Sequence, residues 1–387
     1  MSTIARTPPV ETKLPAVGTT IFTVMSALAT EKGAVNLGQG FPDFDCDPRL
    51  VNAVTEAMQK GLNQYPPMTG IPQLREAVAN KIEAMYGRKY DPVSEITITA
   101  GATQAIITAI LAIVRPGDEV IVLEPCYDSY VPNIDLAGGK VVRVPLVPHT
   151  FRPDFAKIAA AITPRTRAIL VNSPHNPSAT VWTADEMRQL EELLAPTDIF
   201  VISDEVYEHM VYDGQQHQSA ARFPGLAARS FIVSSFGKTY HVTGWKVGYV
   251  AAPAPLSVEF RKVHQFNVFT VNTPVQHGLA SYMADPQPYL RLPAFYQHKR
   301  DLFRAGLART RFELLPSEGS YFQCVDISKV SDLSEEEFCK WLTSEIGVAA
   351  IPLSVFYGNG FDQRVVRFCY AKKDETLRTA LERLAKL

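Results

Sequence analysis

Residues 231–252 read FIVSSFGKTYHVTGWKVGYVAA, and in this stretch two apolar runs enclose a polar segment that carries Lys238. The apolar runs predict two buried strands with a loop between them. Lys238 therefore follows the end of a buried strand, which is where α/β folds place their active sites. A partly desolvated lysine loses its proton readily and forms a Schiff base with a carbonyl group. Ser235 and Lys246 are suited to binding an anion such as a phosphate, although an isolated lysine is more often a solvated surface residue.

More apolar, β-branched runs lie upstream of this stretch, and helical patterns separate most of them. These runs cover residues 96–99, 120–123, 141–144, 168–172 and 199–203. Short, continuously apolar strands joined by helices indicate a mostly parallel sheet that is covered on both faces. With the two strands beside Lys238, the sequence predicts an α/β fold with a seven-stranded, mostly parallel sheet.

The final third of the chain predicts a smaller α+β unit. Its pattern indicates a long helix, two strands and a terminal helix, over residues 289–308, 321–326, 365–369 and 374–386. An amphipathic pattern near the N-terminus predicts a further helix over 19–31. We therefore expect a large domain over 46–285 and a small domain over 286–387, with 1–45 forming an N-terminal arm and part of the small domain.

Bulk composition excludes several classes of protein. The 387 residues carry a net charge of -2, which does not indicate a nucleic-acid or anionic-membrane partner. No apolar run approaches the roughly 18 residues that a transmembrane helix needs. The five cysteines are scattered without a CxxC pair, so we expect reduced thiols, no zinc site and a cytoplasmic protein. Residues 1–15 lack an apolar core and a cleavage signal, which agrees with that location.

A small-residue turn follows the first predicted strand. Gly101, Ala102 and Thr103 lead into a predicted helix over 105–114. The free N–H groups and the dipole at the start of a helix favour a phosphate there. Any turn from a strand to a helix can look like this, so the pattern alone is weak evidence.

Polar and aromatic residues follow the later strands. Tyr127 follows the second strand, where an aromatic side chain often only packs in the core. Asn176 lies in the turn SPHNP, a place that asparagine also favours for backbone reasons. Asp204 and Glu205 end another strand in SDEVY, two residues before Tyr207. Paired carboxylates can bind a metal, but the sequence offers no second set of ligands, so we expect no metal.

Three further segments carry candidate residues for binding a substrate. Gly40 lies in the tight turn VNLGQGFPDF, where a ligand can approach the backbone closely. Tyr65 lies in the loop LNQYPPMTG, where a tyrosine hydroxyl can also simply cap the core. Arg367 lies in VVRFCYA, and a guanidinium binds a carboxylate with two parallel hydrogen bonds. Phe22 and Phe356 are candidates for the apolar walls of a pocket.

Together these motifs resemble the class I and II aminotransferases, which are pyridoxal 5'-phosphate (PLP) enzymes of the aspartate aminotransferase fold, fold type I. The segment around Lys238 fits the pattern SxxGKxxxxTGWKxGY, and the other motifs follow in the family's order over residues 19–386. One departure is Ser178-Ala179, where the family usually has Thr-Gly. Alanine in place of glycine suggests slightly different backbone angles just after Asn176.

The resemblance implies a role for each candidate residue. Lys238 would hold PLP as a Schiff base and act as general base and acid, with Asp204 on the pyridine nitrogen. The implied roles at the cofactor and the substrate are these: phosphate binding by Gly101, Ala102, Thr103, Ser235 and Lys246; ring stacking by Tyr127; contact with the phenolic oxygen by Asn176 and Tyr207; substrate binding by Gly40, Asn176, Arg367, Phe22 and Phe356. Tyr65 would reach the cofactor phosphate of the other subunit, which implies a homodimer.

Substrate preference follows from the same resemblance. The strings VNLGQGFPDF, LNQY, TGWKVGY, GSYF and AIPLSVFY resemble the methionine, glutamine and kynurenine aminotransferase branch, and within it the bacterial methionine aminotransferases. Enzymes for dicarboxylic substrates carry a second arginine in the region corresponding to 265–274, which has none here. We therefore expect an amino acid with an apolar or aromatic side chain and a 2-oxo acid as substrates. Methionine is favoured, ahead of phenylalanine, tyrosine, histidine, glutamine and kynurenine.

Two other functions share this sequence pattern. A PLP-dependent cysteine-conjugate C–S β-lyase would use the same fold and the same cofactor residues. A non-enzymatic, PLP-binding transcription regulator would need a DNA-binding segment, and residues 1–18 are too short and not basic enough to supply one.

Overall fold

The computed structural model describes residues 9–387. Part of the expected N-terminal arm, residues 1–8, lies outside the described residues. The five cysteines are free thiols, and four of them are buried. Among the residues described, no helix combines the length and the hydrophobicity needed to cross a bilayer.

The helices and strands alternate through the middle of the chain, as the sequence predicts. The helices are α1 (Ile21–Lys32), α2 (Pro48–Gln59), α3 (Pro72–Tyr86), α4 (Ala102–Ile113), α5 (Tyr130–Leu136), α6 (Phe155–Ala161), α7 (Ala184–Leu194), α8 (Pro224–Ala227), α9 (Phe236–Thr239), α10 (Ala254–Asn267), α11 (Thr273–Tyr282), α12 (Gln287–Leu290), α13 (Leu292–Leu307), α14 (Glu335–Trp341) and α15 (Asp374–Leu384). The strands are β1 (Val35–Asn36), β2 (Ile96–Thr99), β3 (Glu119–Glu124), β4 (Lys140–Pro145), β5 (Thr166–Asn172), β6 (Phe200–Asp204), β7 (Ser230–Ser235), β8 (Gly248–Ala251), β9 (Glu313–Leu314), β10 (Phe322–Asp326), β11 (Val348–Ala349), β12 (Ile351–Pro352) and β13 (Val365–Cys369).

The central sheet has seven strands within residues 9–387, in the order β2-β8-β7-β6-β5-β3-β4. β8 is antiparallel to both of its neighbours, and the other strand pairs are parallel. Alternate residues of one strand pack on opposite faces: Val120 and Val122 join one apolar cluster, whereas Ile121 and Leu123 join the other. This two-sided burial explains why the strands are continuously apolar. The predicted α/β fold with a seven-stranded, mostly parallel sheet is confirmed.

Two smaller sheets lie outside this core. In the part of the chain that the structure describes, one sheet has four strands in the order β12-β13-β10-β9, and all of its strand pairs are antiparallel. The other joins β1 to β11 in parallel, with Val35 opposite Val348. Because β1 pairs with a strand from the last fifth of the chain, we propose the division expected from the sequence: a large domain over 46–285 and a small one formed by 286–387 with the N-terminal arm.

Two local features differ from the prediction. The helix predicted over 289–308 is interrupted at Arg291, because Pro293 lacks an N–H group and fits only in the first turn of a new helix. The segment between β7 and β8, predicted as a loop, contains the short helix α9, and Lys238 lies within it. Ser235 is the N-cap of α9, because its side chain accepts a hydrogen bond from the N–H of Gly237 at 3.2 Å.

Candidate active site

A cavity of about 280 Å³ opens at the ends of the central parallel strands. The final residues of three strands contribute to it, namely Asn172, Asp204 and Ser235. Parallel strands bring their carboxyl ends to one edge of the sheet, so side chains distant in sequence meet there. The predicted site residues that line this cavity are Phe22, Gly40, Gly101, Ala102, Thr103, Tyr127, Asn176, Asp204, Tyr207, Ser235, Lys238, Lys246 and Arg367.

Lys238 is half-buried at this cavity and has two polar partners. Its Nζ donates to the hydroxyl of Tyr321 at 2.8 Å and to the carbonyl oxygen of Gly40 at 3.1 Å. Burial lowers the pKa of Lys238 to about 8, because the charged form loses solvation there. About a tenth of the amine is therefore neutral at pH 7 and about half at pH 8. The neutral amine is the form that acts as a nucleophile or base.

Asp204 is buried at the end of β6. Burial raises its pKa to about 6, even though the hydroxyl of Tyr130 donates to its Oδ2 at 2.6 Å. The N–H of Val206 donates to its Oδ1 at 3.3 Å. A buried carboxylate with few charged partners gains from a cationic or protonated nitrogen placed against it.

The opposite end of the cavity is suited to an anion. Gly101 precedes α4 with φ +82, a conformation that residues with a side chain rarely adopt. Lys246 Nζ lies 3.6 Å from the position that a Cβ atom would occupy at Gly101. The first N–H groups of a helix have no partner within that helix, so the start of α4 and the nearby Lys246 amine are suited to an anion such as a phosphate.

Arg367 lies on β13 with its side chain 1% exposed. One terminal nitrogen donates to Asn176 Oδ1 at 2.6 Å, and the other donates to the carbonyl oxygen of Gly38 at 3.1 Å. Its buried Nε has no hydrogen-bond partner among the described residues. A buried polar atom without a partner is costly, and a carboxylate ligand would supply one.

Aromatic rings surround the guanidinium of Arg367. Its central carbon lies 4.0 Å from the ring centre of Phe322, 5.4 Å from that of Phe22 and 5.2 Å from that of Phe356. Phe356 is buried behind Phe22, with their ring centres 6.0 Å apart, and it does not line the cavity itself. These rings exclude water from the arginine, which strengthens any ion pair formed there.

The comparisons with known proteins agree with this geometry. The family model for aminotransferase class I and II matches residues 32–384. This chain belongs to that family. The family is PLP-dependent, and this aminotransferase catalyses transamination of amino acids.

Individual relatives are similar over nearly their whole length. Methionine aminotransferase of Escherichia coli (strain K12) is 54% identical over 97% of this aminotransferase and 98% of the relative. Human kynurenine–oxoglutarate transaminase 1 is 36% identical over 93% of both chains. Among solved structures, YbdL from E. coli, whose structure and reactivity identify a methionine aminotransferase function, has a TM-score of 0.97. It is 53% identical, with 98% of this chain and all of that chain covered.

The aromatic candidates lie in three different surroundings in this aminotransferase. The ring of Tyr207 packs against that of Tyr321, with centres 5.0 Å apart, and burial raises the pKa of its hydroxyl. Tyr127 lies edge-on to Tyr130, and its hydroxyl is 3.5 Å from that of Thr103. Tyr65 does not reach the cavity of its own chain.

Tyr65 lies instead on the surface, where it is 81% exposed. Its ring packs against that of Phe269, with centres 5.3 Å apart, and Phe269 is itself 45% exposed. Both residues belong to a part of the aminotransferase surface outside the cavity that Lys238 lines.

The backbone just after Asn176 has an unusual conformation for a residue with a side chain. Ala179 has φ +64, the left-handed conformation that favours glycine. Its carbonyl oxygen accepts hydrogen bonds from the N–H groups of Glu318 and Gly319, at 2.8 and 2.9 Å. These contacts with the segment before β10 keep the glycine-like backbone in place although alanine occupies the position.

Sequence reasoning missed two residues of the site and left one unassigned. Tyr130 and Tyr321, the partners of Asp204 and Lys238, were not among the candidates. The signal for Tyr130 was its place three residues after Tyr127 in CYDSY, whereas nothing local marked Tyr321. Glu205 points away from the cavity and accepts from His217 and from the N–H of Ala220, at 2.8 and 2.9 Å.

Proposed function

We propose that this aminotransferase binds PLP covalently through Lys238 and transfers the amino group of methionine to a 2-oxo acid. Phenylalanine, tyrosine, histidine, glutamine and kynurenine are further donors. The observation that carries the proposal is that Lys238, with its lowered pKa, and Arg367, whose buried Nε has no partner among the described residues, line one cavity. The similarity to E. coli methionine aminotransferase supports the choice of methionine.

The cavity residues fit PLP along its length. The start of α4, Ser235 and Lys246 would hold the phosphate, and Asp204 at the other end would accept from the protonated pyridine nitrogen. The remaining contacts to the ring and its phenolic oxygen come from Tyr127, Asn176 and Tyr207. When bound, the cofactor supplies an electron sink that makes the Cα–H bond of the amino acid acidic.

The side chains of the chain itself then bind the substrate and move a proton. Arg367 binds the α-carboxylate through two hydrogen bonds, which fixes the substrate Cα relative to Lys238. The neutral Nζ of Lys238 removes the Cα proton as a general base. The resulting ammonium then donates that proton as a general acid, which returns Lys238 to its neutral form. Asp204 would supply a fixed negative charge beside the pyridine nitrogen and keep that nitrogen protonated.

The walls near Arg367 favour an uncharged side chain. Phe22 and Phe322, whose rings lie against the Arg367 guanidinium, line the cavity. An unbranched thioether fills such an aromatic pocket well, because sulfur makes favourable contacts with aromatic rings. A side-chain carboxylate would be desolvated there without a partner, at a cost of several kcal/mol.

The assembly expected from the sequence completes the proposal. Tyr65 serves the active site of a second subunit in a homodimer, and its exposure outside the cavity of its own chain supports this role. Light scattering after gel filtration tests the dimer, and a monomer that retains full activity would contradict it. A cytoplasmic location stays a prediction from the scattered, unpaired cysteines.

The test of function is an absorption spectrum of the purified protein. We expect a PLP band near the visible edge that L-methionine abolishes and a 2-oxo acid restores. The variant Lys238→Ala should lack the band, and the matched variant Lys262→Ala, at a lysine whose side chain is 64% exposed, should keep it.

Other outcomes would change the proposal in defined ways. A band that methionine leaves unchanged would refute methionine as the donor and turn the search to glutamine and kynurenine. Pyruvate and ammonia released from a cysteine conjugate without an oxo acid would assign the β-lyase activity. If no band formed even after PLP was added, the role of Lys238 would be refuted.

A further inference from the structure

Tyr321 forms a closed set of hydrogen bonds with Lys238 and Gly40. The amine of Lys238 donates to the Tyr321 hydroxyl oxygen at 2.8 Å and to the Gly40 carbonyl oxygen at 3.1 Å. The Tyr321 hydroxyl proton is in turn donated to the same carbonyl oxygen. The hydroxyl hydrogen is therefore committed to Gly40, and the oxygen lone pairs are left to accept from Lys238.

This arrangement fixes the orientation of the amine. A neutral amine has two N–H bonds and one lone pair. When both N–H bonds point at the oxygens of Tyr321 and Gly40, the lone pair must point elsewhere. Lys238 lines the open cavity, so the direction that remains for the lone pair is toward the cavity. After protonation, the third N–H bond occupies that same direction.

We propose that Tyr321 is a positioning residue that holds the released amine of Lys238 with its lone pair directed into the cavity. The inference rests on the proposed function, in which Lys238 is freed from the cofactor and acts as the base. The amine takes one proton from the substrate Cα, becomes an ammonium and later returns that proton. Tyr321 keeps its own proton throughout, so no net charge develops on its oxygen.

The surroundings of Tyr321 hold it rigidly enough for this role. It is fully buried, and its ring contacts those of Tyr207, Tyr296 and Phe322 at centre distances of 5.0, 5.8 and 4.9 Å. Its carbonyl oxygen accepts from the N–H of Tyr370 at 3.0 Å. Burial raises the pKa of the Tyr321 hydroxyl well above the ordinary value, so it stays protonated and neutral.

An oxygen that accepts from the amine also favours its ammonium form. Removing it should lower the pKa of Lys238 further below its present value of about 8. The other groups that bear on this pKa come from several elements around the amine. They are the Cys369 thiol, the Arg367 guanidinium, the Lys246 amine, the Asp204 carboxylate and the ring of Tyr207. The substitution Tyr321→Phe leaves all of these side chains in place, although Tyr207 loses its contact with the Tyr321 hydroxyl.

The test compares Tyr321→Phe with the wild type in two measurements. The first loads the holoenzyme with pyridoxamine 5'-phosphate, which leaves Lys238 free, and follows its acetylation by acetic anhydride across pH 6 to 9 by mass spectrometry. A fall of the pKa by about 1 would raise the neutral fraction at pH 7, and thus the labelling rate, by about fivefold. The second measures turnover, where we expect kcat to fall about 10- to 100-fold, the effect of one lost hydrogen bond to a charged group, with KM changed little.

Tyr296→Phe is the matched control. Tyr296 is buried in the same aromatic cluster, and its hydroxyl has no hydrogen-bond partner in the described chain. Both readouts should match the wild type. A fluorinated tyrosine at position 321 keeps the ring shape but weakens the oxygen as an acceptor. It should shift the labelling rate and kcat in the same directions as Tyr321→Phe, and it tests the proposal if Tyr321→Phe does not fold.

The proposal requires that Tyr321→Phe make Lys238 more reactive toward acetic anhydride and at the same time slow turnover. If Tyr321→Phe leaves the pH dependence of labelling unchanged, or slows turnover no more than Tyr296→Phe does, the positioning role is wrong. The labelling needs no amino acid substrate, so it remains informative even if methionine proves not to be the donor. Failure of the proposed function would instead appear as a wild-type spectrum that no amino acid alters.

Discussion

Replacing Arg367 with lysine tests how the substrate carboxylate is held. The variant keeps the positive charge but offers one nitrogen in place of the two terminal nitrogens, which lie 2.6 and 3.1 Å from oxygens of Asn176 and Gly38. One hydrogen bond between charged groups contributes about 1.5–3 kcal/mol. At about 1.4 kcal/mol per factor of ten, its loss should lower kcat/KM about 10- to 150-fold.

The assay separates the carboxylate from the rest of the substrate. Stopped-flow absorbance follows the half-reaction with L-methionine and, separately, with 3-(methylthio)propylamine, which is methionine without its carboxylate. Arg367→Lys should slow the methionine reaction by the factor above. It should change the slower amine reaction by less than about threefold, since one lost hydrogen bond affects only the ligand that makes it.

The control is a second buried arginine remote from the cavity. Arg300 binds both oxygens of Asp213, at 2.6 and 2.7 Å, and is also almost fully buried. Arg300→Lys should lower thermal stability without altering the ratio of the two rates. If Arg367→Lys slows both substrates equally, or slows neither, the assignment of this arginine to the carboxylate is refuted.

Three further predictions concern the cofactor site and the core beneath it. The pKa of Asp204 is about 6 in the folded protein and 3.8 ordinarily, so the native state binds more protons than the unfolded state between about pH 4 and 6. The free energy of unfolding of the PLP-free protein, measured with urea, should therefore fall by about 3 kcal/mol as the pH rises through that window. Asp204→Asn should not show this fall. Gly101→Ala should destabilise the protein by about 1–3 kcal/mol and weaken PLP binding, as measured by a titration with PLP. The control is Gly117→Ala, at a residue with φ +89 and open space around it; this variant should lose stability but bind PLP as the wild type does. Lys81→Met should lower the free energy of unfolding in denaturant by about 3–5 kcal/mol, because the buried Glu208 carboxylate loses the amine that lies 2.6 Å away. The double variant Lys81→Met, Glu208→Gln should recover part of that loss. If the single and the double variant were equally stable, the unpaired carboxylate would not be the cause.

The strands and the residues at their ends were predictable for a simple physical reason. A strand buried on both faces must be apolar throughout, so its polar last residue stands out. Asp204 and Ser235 were found in this way, and the predicted ranges 96–99 and 365–369 coincide with β2 and β13. Pro293 also indicates that a helix begins near it, although the prediction placed one continuous helix across that position.

Contacts across long sequence separations were not predictable from one sequence. Tyr130 meets Asp204 across 74 residues, and Tyr321 meets Lys238 across 83. Nothing in the local pattern distinguishes Tyr321 from a core residue, and the spacing of Tyr130 from Tyr127 does not reveal that its hydroxyl meets Asp204. An aromatic hydroxyl is compatible with both a core position and a site position. The left-handed backbone at Ala179 was equally hidden, because the contacts that hold it come from residues 318 and 319.

The hydrogen bond between Arg367 and Gly38 joins residues 329 positions apart, near the two ends of the chain. A ribosome therefore makes the early partner first and the late partner almost last. Arg367 is also made after the residues between 101 and 246 that are proposed to hold the cofactor within the same chain. The proposed carboxylate site therefore exists only once both distant segments have been synthesised and have met in the folded protein.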